Sequence, residues 1–217
     1  MDVYELVRGP LAWVALTLFA AGALYRILMV RLTGKSEPVL EPWKFRKDAV
    51  RSILHGLIPF GSVSMRRRPL FTFVTFFFHL SVVLLPAFLL AHIVLWYESW
   101  GIRWWSLPDL LADTMTIWVI LACAYFLIRR TFVLEVRQVT RPADVVLIAI
   151  VLVTFLTGFL AYQQWGPYRP ILIIHILSGE ILLVLLPFSK LSHMLSFFSL
   201  RAHLGGEYGK VLGARDW

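Results

Sequence analysis

Cysteine is almost missing from this chain: Cys123 is the only one in 217 residues. That excludes a disulfide framework, a Cys-ligated iron–sulfur cluster and a covalently attached c-type haem. Charge is scarce as well. Charged residues make up 16% of the chain, against about a quarter in soluble domains, while 59% are hydrophobic and the mean hydropathy is +0.75. Acids are scarcer than bases, 13 against 21, for a net charge of +8. In so apolar a chain this surplus reads as the loop bias of a membrane protein and argues against nucleic acid as a partner. A soluble α/β enzyme and a disordered regulator fit no better. What is left is an all-α integral membrane protein, with any cofactor held non-covalently.

A spanning helix needs about 20 mostly apolar residues. Five stretches supply them, at about 11–30, 70–97, 110–128, 145–162 and 171–198. The whole of 1–217 is thus expected to be a single membrane domain, with a loop at 31–69 and a tail at 199–217. Asp2 and Glu5 precede the first apolar run, which is long enough to span, so it does not read as a signal peptide. Seventeen of the 21 basic residues fall in the 31–69 loop, after the third span, or in Lys190 and the tail. Arg8, Arg103 and Arg169 lie on the other side, and Arg26 lies within the first span. By the positive-inside rule the N-terminus is expected outside and the C-terminus in the cytoplasm, in the cell inner membrane. Trp96, Tyr97, Trp100, Trp104 and Trp105 then form an outer interfacial belt, joined by Tyr162, Trp165 and Tyr168. The apolar patch Val50–Phe60 is expected to lie along the inner surface as an amphipathic helix.

Of six histidines, four fall within two spans: His79 and His92 on the second, His175 and His193 on the fifth. Ionisable groups at membrane depth are costly and point to function. In one continuous helix, His175 and His193 are five turns apart, on one face and roughly 27 Å apart along the axis. Two stacked haems between paired helices require that arrangement, each iron taking one imidazole from each helix. Depth pairs His79 with His193 on the cytoplasmic side and His92 with His175 on the outer side. The thirteen-residue spacing of His79 and His92 leaves a phase error of roughly 140° in an ideal helix. The pairing therefore requires distortion around Pro86. His55 and His203 read as surface residues, with His55 as the reserve ligand.

The run HILSGEILLVLLPFSKLSHM, His175 to Met194, resembles the last helix of the gamma subunit of respiratory nitrate reductase. In that family too, two haem-ligating histidines flank a Pro-Phe-Ser-Arg/Lys-Leu stretch. FFFHLSVVLLPAFLLAHI, Phe76 to Ile93, resembles its second helix, and RRTFVLEVRQVTRPADVVLI its inner loop. The similarity runs from about Pro69 to His193. Two features depart from the family. Its second-helix histidines are ten residues apart, with glycine before the outer one, where this chain has Ala91. Its quinol-binding lysine inside the third helix is replaced here by a stretch carrying Asp109 and Asp113. These departures resemble the gamma-like cytochromes of transmembrane redox complexes in sulfate reducers.

The resemblance implies a dihaem cytochrome b that carries electrons across the membrane. Its partners would be quinone (menaquinone among them) or a periplasmic multihaem cytochrome c on one side. On the other would be a cytoplasmic iron–sulfur subunit, heterodisulfide-reductase-like or nitrate-reductase beta-like. The alternatives are a quinol-oxidising gamma subunit of a nitrate reductase and a haem-free membrane anchor. A transporter reading needs discontinuous spans and repeats, which the sequence does not display. Haem propionates need cations. Arg103 and Arg169 are the candidates on the outer side, and Arg129, Arg130 and Lys190 on the inner side. Ala91, His92, Arg103, Asp109 and Asp113 are the candidates for a quinone site. Glu180 is expected either to carry protons or to hydrogen-bond a neighbouring helix as a neutral acid.

Overall fold

The computed structural model describes residues 2–33 and 42–211, without the side chains of 30, 31, 33, 42–46, 203, 204 and 206–211. Every regular element among the described residues is helical. In chain order these are α1 (Val3–Leu6), a π turn (Val7–Leu11), α2 (Ala12–Thr33), α3 (Pro42–Leu57), α4 (Val63–Arg67), α5 (Pro69–Phe88) and α6 (Leu90–Trp100). Then follow α7 (Asp109–Phe132), α8 (Leu134–Val139), α9 (Pro142–Tyr162), α10 (Tyr168–Phe188), a 3₁₀ turn (Lys190–Ser192) and α11 (His193–Val211). Five helical stretches are long and apolar enough to cross a membrane: Val3–Met29, Pro69–Trp100, Asp109–Phe132, Pro142–Tyr162 and Tyr168–Phe188. Only 11–22% of the residues in their most apolar windows are buried, so apolar side chains face outward. Water does not tolerate five such helices; a bilayer does. This is a multi-pass membrane protein.

The chain forms two compact units. The first comprises Met1–Pro10 and Val74–Leu182. Its core centres on α7, where Ala112, Val119 and Cys123 are buried at roughly helical repeats and meet Leu85, Leu107, Val151 and Phe155. Small side chains on α7 let α9 approach closely, which is how helices associate where hydrophobicity supplies no drive. Pro142 opens α9 at a position where its missing N–H costs nothing, and the Arg141 N–H donates to Asp144 Oδ2 at 3.0 Å. Asp144, only 5% exposed, also lies 3.9 Å from Arg130. At the other end Arg8 pairs with Glu98 at 2.7 Å and Asp2 with Arg169.

The second span is not one helix. It breaks at Leu89, whose ψ of 130° is extended, and α6 restarts at Leu90. Pro86 is the cause, because it lacks an N–H for the Val82 carbonyl and its ring crowds that turn. The break frees the carbonyls of Pro86, Ala87 and Phe88, and each finds a new donor. His92 Nδ1 reaches Pro86 at 3.1 Å, Trp104 Nε1 reaches Ala87 at 2.8 Å, and the Leu107 N–H reaches Phe88 at 2.9 Å. Freed backbone carbonyls are tolerated at membrane depth only when resatisfied in this way.

The second unit comprises Leu11–Phe73 and Leu183–Trp217. Here α3 lies along α11. The expected amphipathic helix is present but covers Pro42–Leu57, earlier than the apolar patch suggested. Ala49 and Ser52 are buried, while Val50, Leu54 and Leu57 are exposed on the opposite side. A Cβ at Gly205 would lie 2.3 Å from Ser52 Cβ, and one at Gly56 2.9 Å from Arg201 Nε. Gly205→Ala is therefore expected to force the two helices apart at a cost of about 1–3 kcal/mol. A lowered thermal midpoint of the purified protein in detergent checks this.

One expectation needs correction. The fifth span does not run helically to residue 198. It ends at Phe188, passes through extended Ser189 (ψ −171°) and a 3₁₀ turn, and α11 starts at His193. Pro187 again removes an intrahelical donor, and Ser189 Oγ accepts from the Leu191 N–H at 3.2 Å to start the new turn. His175 and His193 thus sit on separate helices, and the five-turn phase argument does not apply to them. The tail from residue 199 is likewise helical as far as Val211; residues 212–217 lie outside the described residues.

Candidate functional site

The break at Leu89 sets the position of His92. With the chain turned there, the imidazole folds back onto the carbonyl of Pro86, six residues earlier. His175 reaches across to another helix, and its Nδ1 lies 2.9 Å from the Thr154 carbonyl on α9. That contact depends on Gly158, four residues further along α9. A Cβ there would meet His175 Cε1 at 2.8 Å and Nδ1 at 2.9 Å. Glycine at this point both uncovers the Thr154 carbonyl and makes room for the ring. From the sequence this glycine reads as a place where a helix, or a haem face, could come close.

The two rings then face each other within the first unit. Their centres are 6.2 Å apart and their planes differ by 5°. A carbonyl can only accept, so each Nδ1 carries a proton and each Nε2 presents its lone pair. Among the described residues no hydrogen bond reaches Nε2 of either ring. Backbone hydrogen bonding through one nitrogen with the other left to a metal is the usual state of a ligating histidine. With metal–imidazole bonds of about 2.0 Å and about 1.2 Å from nitrogen to ring centre, two rings sharing one metal have centres roughly 6.4 Å apart. The observed 6.2 Å leaves room for one metal between the rings if both Nε2 atoms turn to it. Among the described residues, no three His, Cys, Asp or Glu side chains gather around a possible metal ion. A bare ion therefore lacks donors here, whereas a haem brings four nitrogens of its own and needs only two axial rings.

His79 and His193 belong to different units, and each is described by itself. His79 Nδ1 bonds the Thr75 carbonyl at 2.7 Å, and its ring meets Phe78 edge-on at 5.3 Å. His193 Nδ1 bonds the Lys190 carbonyl at 2.7 Å. His55 makes the same kind of bond, to Gly61 at 3.2 Å. The bond alone therefore does not mark a ligand; for His92 and His175 it goes together with a facing histidine ring. The His203 side chain lies outside the described residues.

The cations are placed unevenly. The Arg103 guanidinium lies 5.8 Å from the Tyr97 ring centre and lines a cleft of about 440 Å³ with Leu90, Ile93, Val94, Tyr97 and Trp104. Arg169 is engaged by Asp2, and Arg130 by Thr140 Oγ1 at 3.3 Å and by Asp144. The Arg129 and Lys190 carbonyls accept from Val133 N–H and His193 Nδ1. Asp113 accepts from Gln163 at 2.9 Å and lies outside the lining of the cleft. Glu180 is 7% exposed, and neither carboxyl oxygen has a hydrogen-bond partner among the described residues. Of the two roles expected for this acid, the hydrogen bond to a neighbouring helix is not made among the described residues. An unsatisfied buried polar group costs about 1–3 kcal/mol, so its retention has to be explained.

Over 215 residues, 95% of this chain and 93% of the relative, the sequence is 36% identical to a protein of Nitratidesulfovibrio vulgaris (strain Hildenborough). The chain belongs to that protein's family. The relative bears no functional name. No protein-family model matches the chain, and no solved structure does. The identity extends over almost the full length of both chains.

Proposed function

We propose that this chain is the membrane cytochrome b subunit of an oxidoreductase complex, with two non-covalent b haems held by histidine pairs. The observation that carries the reading is the parallel pair His92 and His175, 6.2 Å apart, each ring oriented by a backbone carbonyl. When bound, the haem supplies a one-electron couple. The chain contributes placement. His92 and His175 would hold the iron through their Nε2 atoms, the Pro86 and Thr154 carbonyls orient the two rings, and the apolar surroundings would keep water from the site. The second haem is assigned to His79 and His193 from their depth in the sequence. Arg129, Arg130 and Lys190 are the cations for its propionates, and Arg103 and Arg169 those for the first haem.

Positive-inside bias puts the N-terminus outside and the C-terminus in the cytoplasm of the inner membrane, with the His92–His175 haem on the outer side. One cysteine cannot hold a cluster, so an iron–sulfur centre must come from a cytoplasmic partner. The outer side would exchange electrons with quinone or with a periplasmic multihaem cytochrome. The cleft beside Arg103 supports quinone, since it is apolar and opens from the helix that carries His92. The purified protein is expected to show a b-type α-band in its reduced-minus-oxidised spectrum and two haems per chain. Absence of the band overturns the cytochrome reading and leaves the haem-free anchor and the transporter as the rivals.

A further inference from the structure

The second unit contains a cation whose donors are mostly unused. Arg26 lies within α2, and its Nε–H donates to the Pro187 carbonyl at 2.8 Å. That carbonyl is available because the break at Ser189 diverts the Leu191 N–H to Ser189 Oγ. Gly22 makes the contact possible, since a Cβ there would lie 2.7 Å from the Pro187 ring. The four N–H bonds on the two terminal nitrogens have no hydrogen-bond partner among the described residues. Beside them lies a cavity of about 60 Å³, lined by Arg26, Ile27, Ser192, Leu195, Ser196 and Ser199.

The lining is chemically one-sided. Among the described residues it offers a planar guanidinium and three hydroxyls, with no acidic side chain. Ser192 and Ser199 make no side-chain hydrogen bond among the described residues, and Ser196 makes only a long one, 3.3 Å to the Ser192 carbonyl. A cation inside a membrane span requires a counter-charge, and none lines this cavity among the described residues. Guanidinium donors in a fixed fork match the two oxygens of a carboxylate or phosphate.

We propose that Arg26, Ser192, Ser196 and Ser199 form an oxyanion site for a carboxylate or phosphate group at the membrane edge. Two sources carry that chemistry. One is the phosphate of a membrane phospholipid. The other is the propionate of a haem on the adjacent His193, an arm that rests on the function proposed above.

The test compares purified full-length wild type with Arg26→Gln and with Ser196→Ala/Ser199→Ala. Native mass spectrometry reads bound phospholipid, and a redox titration reads each haem. The serine variant leaves the Arg26–Pro187 bond in place, so an effect common to both variants is not a folding defect. If phospholipid is the ligand, both variants lose at least tenfold of a bound lipid that the wild type retains, with haem potentials unmoved. If propionate is the ligand, one haem shifts to lower potential, more in Arg26→Gln than in the serine variant, with lipid content unmoved. Wild-type lipid content and potentials in both variants overturn the site. A wild type without haem overturns the cytochrome reading instead, and the lipid measurement then decides the site alone.

Discussion

Replacing His175 with alanine is expected to remove one of two haems, halving the b-type absorbance per chain. His92→Ala should do the same, because an iron held by two axial rings loses its site when either is gone. The decisive comparison is the double variant. If His92 and His175 hold one group, His92→Ala/His175→Ala still retains one haem per chain, no worse than either single change. If they serve separate groups, the double variant retains none. His203→Ala is expected to leave both haems in place, and so is His55→Ala. His55 is the sharper control, since its Nδ1 also bonds a carbonyl. Two haems remaining in His175→Ala would remove the observation on which the proposed function rests.

The spans were legible in the sequence because each is a uniform property repeated over about 20 residues. The break in the second span was legible for a different reason. Thirteen residues between His79 and His92 do not share a helical face, and Pro86 lies between them, so pairing both residues demanded a distortion. The structure places it at Leu89, three residues beyond the proline. The break in the fifth span was missed although Pro187 was in plain view. There the eighteen-residue spacing already fitted an ideal helix, so nothing in the pattern demanded a defect. Good periodicity hid the interruption that poor periodicity had exposed.

The site shows the same divide. The histidines were visible as ionisable groups in apolar runs. Their orienting partners were not, because those are backbone carbonyls, and any residue supplies one. What makes a carbonyl available is local: a missing Cβ at Gly158, and proline-induced breaks at Leu89 and Ser189. Arg26 illustrates this from the donor side. Its sequence position places it only within the first span, whereas its Nε–H serves the carbonyl of Pro187.

Gly158 gives the sharpest test of the site's construction. Gly158→Val is expected to displace His175 while leaving the fold in place. The first branch point of the new side chain would already lie 2.8 Å from Cε1 and 2.9 Å from Nδ1 of the ring, and the two methyl groups add further bulk. Overpacking of this kind costs about 1–3 kcal/mol. Losing the bond to the Thr154 carbonyl costs about 0.5–1.5 kcal/mol more. If the ring must return to its present place to bind haem, affinity should fall by roughly 10- to 1,000-fold, at about 1.4 kcal/mol per tenfold. Haem transfer to an acceptor protein measures this, and Gly158→Ala should lie between valine and wild type. Gly179→Ala supplies the control from the facing helix α10, because a Cβ there meets Thr154 Cγ2 at an ordinary 3.9 Å. It should hold haem as the wild type does. Equal retention by the valine variant would mean that His175 binds from a position other than the one Gly158 makes room for.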